Sequence, residues 1–140
     1  MNSNKASTIS STIIGAAIAL IVVTGLIHLV TAPDDFSEAA YKGAMFVANG
    51  FLALIAAAGI YKGSKTWGWG LGLLVAGGAM VMYVVSRTIG LPGLGVDDAW
   101  FEPIGVLSLL VEGAYVVLAL KVLAQGYASG HDEPRLTAAR

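Results

Sequence analysis

The chain has 140 residues, of which 56% are hydrophobic and 12% charged, with a formal net charge of −1. Soluble domains carry about 25% charged residues, so this composition argues against a water-soluble globule, and its near-neutral balance offers no basic surface for nucleic acid. The absence of cysteine removes disulfides, thiolate metal sites, iron–sulfur clusters and thiol nucleophiles.

A helix needs about 20 apolar residues to cross a hydrocarbon core roughly 30 Å thick. Four stretches reach that length: residues 9–30, 39–61, 67–86 and 104–123. Each is apolar around its circumference, without the alternation of barrel strands. The sequence therefore predicts an all-α integral membrane four-helix bundle. The first stretch is preceded by Lys5 alone and is longer than a leader's apolar core, so it reads as a retained span.

Ala32-Pro33-Asp34-Asp35 is expected to separate the first two spans, with Asp34 or Ser37 capping the second. Lys62–Thr66 is expected to turn tightly into the third. Gly90-Leu91-Pro92-Gly93-Leu94-Gly95 opens a longer connection, and Pro103 falls in the first turn of the fourth helix, where a missing N–H costs nothing. Residues 1–8 and 125–140 read as polar cytoplasmic ends, the latter a flexible tail.

The charges sort by side. Lys5, Lys62, Lys65, Lys121, Arg135 and Arg140 lie on one side; Asp34, Asp35, Glu38, Asp97, Asp98 and Glu102 lie on the other. By the positive-inside rule both termini and the second loop are cytoplasmic, in a multi-pass protein of the cell membrane. Lys42 and Arg87 sit at the acidic ends of their spans, where they could pair with the acids. Trp67 and Trp69 fit an inner aromatic belt; Phe36, Trp100 and Phe101 fit an outer one. Gly68 and Gly72 share one helix face, a small-residue seam suited to packing within the bundle or between copies.

Ionisable groups inside spans cost about 2.5–3.5 kcal/mol on insertion scales, so they face protein or water and have partners. His28, Arg87 and Glu112 are the three candidates. Glu38, Tyr41 and Lys42 are three and four apart, as are Tyr83 and Arg87, Thr24 and His28, and Ser108, Glu112 and Tyr115. Asn49 lies at mid-depth, where it could meet Glu112; Tyr83 is the other cross-helix partner open to that acid. The candidate ligand- or proton-binding set is therefore Glu112, Arg87, His28, Glu38, Glu102, Asn49, Tyr83 and Tyr41. Each also has a plain packing role: His28 as a hydrogen-bonded interfacial residue, Arg87 as an anchor paired to Glu102, and Glu112 as a protonated group bonded across helices.

Ser86-Arg87-Thr88-Ile89-Gly90-Leu91-Pro92-Gly93, then Trp100-Phe101-Glu102-Pro103-Ile104-Gly105 and Ser108-Leu109-Leu110-Val111-Glu112, together with His28, Pro33 and Glu38-x-x-Tyr41, resemble small four-span prokaryotic membrane proteins of no known activity. The resemblance runs from about His28 to Glu112 and implies a fold, not a function.

Three functions follow as expectations. The first is a non-enzymatic bundle, an accessory subunit or a ligand- or ion-binding protein. The second is a proton-linked transporter or channel using Glu112, assembled as a homo-oligomer or in a larger membrane complex. The third is a metal- or redox-linked protein using His28 with Glu38 and Glu102; Met45, Met80 and Met82 extend that reading to a soft metal. A haem would require a second axial ligand, because His28 is the one histidine inside a span. The lipid bilayer is the one partner composition implies, and no cofactor is indicated.

Overall fold

A computed structural model describes residues 9–131, with side chains to residue 126. Lys5, Arg135 and Arg140 lie outside the described residues, as do most of the polar ends expected at 1–8 and 125–140.

The described chain is four helices: α1 (Ser11–Glu38), α2 (Ala40–Tyr61), α3 (Trp67–Thr88) and α4 (Pro103–His131). Each is long and apolar enough to cross a membrane. Consecutive helices pack side by side and α4 returns to α1, while α2 and α4 face each other diagonally without backbone contact among the described residues.

α1 departs from its expected end. It runs eight residues past Val30 and takes Pro33 into its body. Proline removes one helix bond, here to the Leu29 carbonyl, and need not stop a helix that is anchored beyond it. The anchor is Asp35, which is buried and whose carboxylate meets Lys42 Nζ of α2 at 2.9 Å. The link between α1 and α2 is Ala39 alone, in extended backbone. Neither Asp34 nor Ser37 caps α2: its N-cap is Ala39, with no side-chain bond, and Ser37 Oγ donates back to Asp34 O. Ser10 caps α1 instead, accepting from the Thr12 N–H.

The α2–α3 turn is as short as its sequence implies. Gly63 takes φ +85°, a left-handed conformation that glycine adopts without a Cβ penalty. Ser64 Oγ then accepts the Gly68 N–H at 2.8 Å and starts α3. Just past the end of α3, Gly90 also takes φ +85° and its N–H returns to Val85 O; this is a common helix C-terminus. α4 begins with Pro103 and continues to His131, so the first part of the expected tail is helix.

The core lies in the half of the bundle near the α2–α3 turn. Ile21, Ala53, Ala56, Trp69, Tyr115 and Ala119 are buried there together. Trp69 is 1% exposed and belongs to this core rather than to an aromatic belt; Trp67, half exposed, is the one that faces outward. The Gly68–Gly72 seam is used within the chain. A Cβ at Gly68 would press on the backbone of Gly59 and Ile60, and one at Gly72 would strike the Tyr115 hydroxyl. The α1–α2 contact is also close: a Cβ on Gly25 would lie 3.0 Å from Gly50 O and 3.2 Å from Ala53 Cβ.

Candidate functional site

The opposite half of the bundle is not filled. A cavity of about 770 Å³ lies between the four helices and the α3–α4 connection. Its lining gathers all eight candidate positions except Tyr41, and adds Asp35, Lys42, Phe46 and Asp97.

At its floor are His28 of α1 and Glu112 of α4. Glu112 is 2% exposed. Ser108, one turn earlier on α4, donates to Glu112 Oε1 at 2.8 Å. His28 Nδ1 donates to the Thr24 carbonyl at 3.0 Å, which fixes the ring and leaves Nε2 directed at Glu112 Oε1, 3.8 Å away. Phe46 of α2 packs beside the imidazole, ring centres 5.0 Å apart. The shared faces of Thr24 with His28 and of Ser108 with Glu112 are thus formed. Tyr115 turns away and donates to Trp69 O across the α3–α4 contact.

Asn49 does not meet Glu112. Its Nδ2 donates to Val75 O of α3 at 3.2 Å, and its Oδ1 is buried without a hydrogen-bond partner. Since Val75 O is an acceptor, the amide orientation is fixed by that bond. Asn49 therefore ties α2 to α3 beside the cavity and leaves an acceptor unused.

Two ion clusters form the rim. In the first, Lys42 lies 2.9 Å from Asp35 Oδ1 and 2.6 Å from Glu38 Oε2. Glu38 and Lys42 are four apart, yet the chain reverses at Ala39 between them, so the pair joins two helices rather than one face. In the second, Arg87 is 8% exposed. Its Nε and Nη2 donate to Ala99 O at 3.3 and 3.2 Å, its Nη1 to Ser86 Oγ at 3.0 Å, and Nη2 lies 3.4 Å from Asp97 and 3.7 Å from Glu102. The guanidinium stacks over the Tyr83 ring at 3.6 Å, a cation–π geometry. Tyr83 itself donates to Trp100 O at 2.6 Å, and Tyr41 donates to Pro92 O at 2.7 Å. Tyr41 and Arg87 thus hold both ends of the α3–α4 connection over the cavity.

The metal set drawn from His28, Glu38 and Glu102 is not assembled. Glu38 is taken by Lys42 and Glu102 by Arg87, and no group of three or more histidines and carboxylates among the described residues is placed to hold a metal ion. Nor does Ser108–Glu112–His28 make a nucleophilic triad. There the imidazole must touch the hydroxyl; here the carboxylate stands between them.

Asp35 and Asp97 are among the acids expected to pair with Lys42 and Arg87, but their place in the cavity lining, like that of Phe46, is not read from the sequence. Asp35 and Asp97 look like ordinary loop acids, and their one signal is a basic residue at the acidic end of a neighbouring span. Phe46 carries no signal at all, because an aromatic inside a span is common. The chain matches no protein-family model, no curated protein and no solved structure.

Proposed function

We propose that this chain is a multi-pass protein of the cell membrane, with both termini cytoplasmic, that binds a small ligand in the cavity at its acidic end and performs no chemistry on it. The orientation rests on the basic residues Lys62 and Lys65 at one end and the acidic loops at the other. The binding role rests on one observation: a cavity of about 770 Å³, within the range of small-molecule sites, with a few polar groups placed among apolar walls.

The cavity is a costly feature for a bundle stabilised by close packing. Its rim is held by two ion clusters and two tyrosine bonds, so it does not collapse. Its floor carries the most deeply buried acid of the described residues. Those are the parts a binding site needs: fixed walls, an apolar body and convergent polar groups.

A blocking variant tests it. Gly78 lines the cavity where it opens at the bundle surface, and a Cβ there meets nothing within 4 Å, so Gly78→Trp has room to fold and sets a bulky ring at that opening. Small molecules that raise the melting temperature of the wild-type protein in lipid nanodiscs should not raise that of Gly78→Trp. Equal stabilisation of both would remove the cavity from binding. For orientation, single cysteines at Lys65 and Asp98 on this cysteine-free background should label from opposite faces of the membrane; labelling from the same face would overturn the topology.

A second reading, a proton-linked carrier or channel assembled from several copies, draws on the buried His28–Glu112 pair. It expects Glu112→Gln to abolish proton-coupled flux in liposomes while leaving the fold intact.

A further inference from the structure

The class of ligand follows from how the charges around the cavity are already spent. Its lining holds six carboxylates, on Asp34, Asp35, Glu38, Asp97, Glu102 and Glu112, against two permanent cations, Lys42 and Arg87. Each cation is shared by two acids: Lys42 by Asp35 and Glu38, Arg87 by Asp97 and Glu102. Each cluster therefore carries an excess negative charge. An anionic ligand would meet no unspent lysine or arginine in the lining and would face like charge at the rim.

Glu112 stands apart from both clusters. Its neighbours are a neutral hydroxyl and His28 at 3.8 Å. Independently of any acid, Asn49 Oδ1 is a buried acceptor without a donor, and Asn49 lines the same cavity. A buried acceptor left unpaired is costly, and this one lies in the cavity wall without opening onto the space. The polar groups at this depth are thus acceptors, beside the Phe46 ring, an aromatic surface of the kind that attracts cations.

The remaining walls define the rest of the ligand. Met45 and Leu52 of α2 and Leu74 of α3 line the cavity and are also exposed on the side of the bundle. They form an apolar opening between α2 and α3, toward the lipid if the chain spans a bilayer. A molecule passing there needs an apolar body.

Resting on the proposed binding role, we infer that the cavity takes an organic ammonium cation with an apolar body, its nitrogen donating to Glu112 and its body lying along the α2–α3 opening. The wild-type protein in nanodiscs is titrated calorimetrically, against empty nanodiscs, with 4-phenylbutylammonium, 4-phenylbutanol and 4-phenylbutanoate. These share a body and differ in charge. The ammonium should bind saturably at one site per chain, the alcohol about tenfold more weakly or worse, and the carboxylate without saturation. In Glu112→Gln the preference of ammonium over alcohol should fall to about threefold or less, with the alcohol unaffected. The comparison among probes needs no variant, so it stands even if Glu112→Gln folds poorly. Binding of the alcohol or carboxylate as tight as that of the ammonium, lost in Gly78→Trp, would overturn the cationic class and leave the binding cavity in place. Saturable binding by none of the three would overturn both.

Discussion

Arg87 is the residue whose removal should cost the acidic half most. Its guanidinium gives three donors to two acceptors, Ala99 O and Ser86 Oγ. A hydrogen bond from a charged group contributes about 1.5–3 kcal/mol, and the lower figure applies to Ala99, which is exposed and can be solvated once freed. Stacking on Tyr83 adds about 0.5–2 kcal/mol. The pairs with Asp97 and Glu102, both about half exposed, add no more than about 1 kcal/mol each. Since these contacts share one side chain they do not simply add, and Arg87→Ala should destabilise by about 3 kcal/mol. Arg87→Lys keeps the charge and loses the planar fork and the stacking, so it should recover less than half of that loss. Equilibrium unfolding in mixed micelles across a denaturing detergent series measures both. A loss below about 1 kcal/mol for Arg87→Ala, or full recovery with lysine, would show that Arg87 acts as a point charge at the rim and does not hold the α3–α4 connection.

Three further outcomes are expected from the same measurement. Gly50→Ala should cost about 1–3 kcal/mol, because its Cβ would lie 3.0 Å from Gly25 O and press on Leu29. Gly70→Ala, where a Cβ meets nothing within 4 Å, should be neutral or stabilise by up to about 1 kcal/mol through helix propensity; equal effects at the two glycines would refute the α1–α2 contact. Ser108→Ala removes the hydroxyl that donates to a buried Glu112 and should destabilise by about 1–3 kcal/mol, a loss that Ser108→Thr largely restores.

What was legible in the sequence is what hydropathy and charge encode. The four helices, the Lys62–Thr66 turn and the start of α4 at Pro103 all follow from apolar length and from breakers with a fixed backbone preference. The pairing of Arg87 with Glu102 also follows, since an arginine at the end of a span has few acids within reach. Facing was not legible. Lipid and core are equally apolar, so nothing in the local sequence distinguishes Trp69, in the core, from Trp67, outside it. The same ambiguity hides why Asn49 meets a backbone carbonyl of α3 and not Glu112, whereas the Ser108–Glu112 contact follows from their four-residue spacing on one helix. The continuation of α1 through Pro33 was illegible for another reason: it depends on Asp35 reaching Lys42, a contact that exists only once α2 has folded back.

The polar residues of this chain are better explained by the distribution of its glycines than by their own positions. Gly25 with Gly50 brings α1 onto α2. Gly59 and Gly68 bring α2 onto α3, and Gly72 admits Tyr115 of α4. These contacts seal the half near the α2–α3 turn, where the small faces of three helix pairs meet. In the other half, a Cβ at Gly78 of α3 would meet nothing within 4 Å, and Gly78 lines the cavity together with Met45, Phe46 and Asn49 of α2. Helices with bulk on one side and open glycine on the other leave a gap, and a gap lined by carboxylates would not stay open without a scaffold. Lys42 and Arg87 supply it, each bound to two acids across a chain reversal: Lys42 of α2 to Asp35 and Glu38 of α1, and Arg87 of α3 to Asp97 and Glu102 of the α3–α4 connection. Glu112 falls outside that scaffold: among the described residues no lysine or arginine is paired with it, although its rim neighbours have theirs. A carboxylate that only supported packing would be cheaper as a neutral, apolar residue, and the proposed binding role gives the charge-bearing group at the cavity floor a use that packing alone does not.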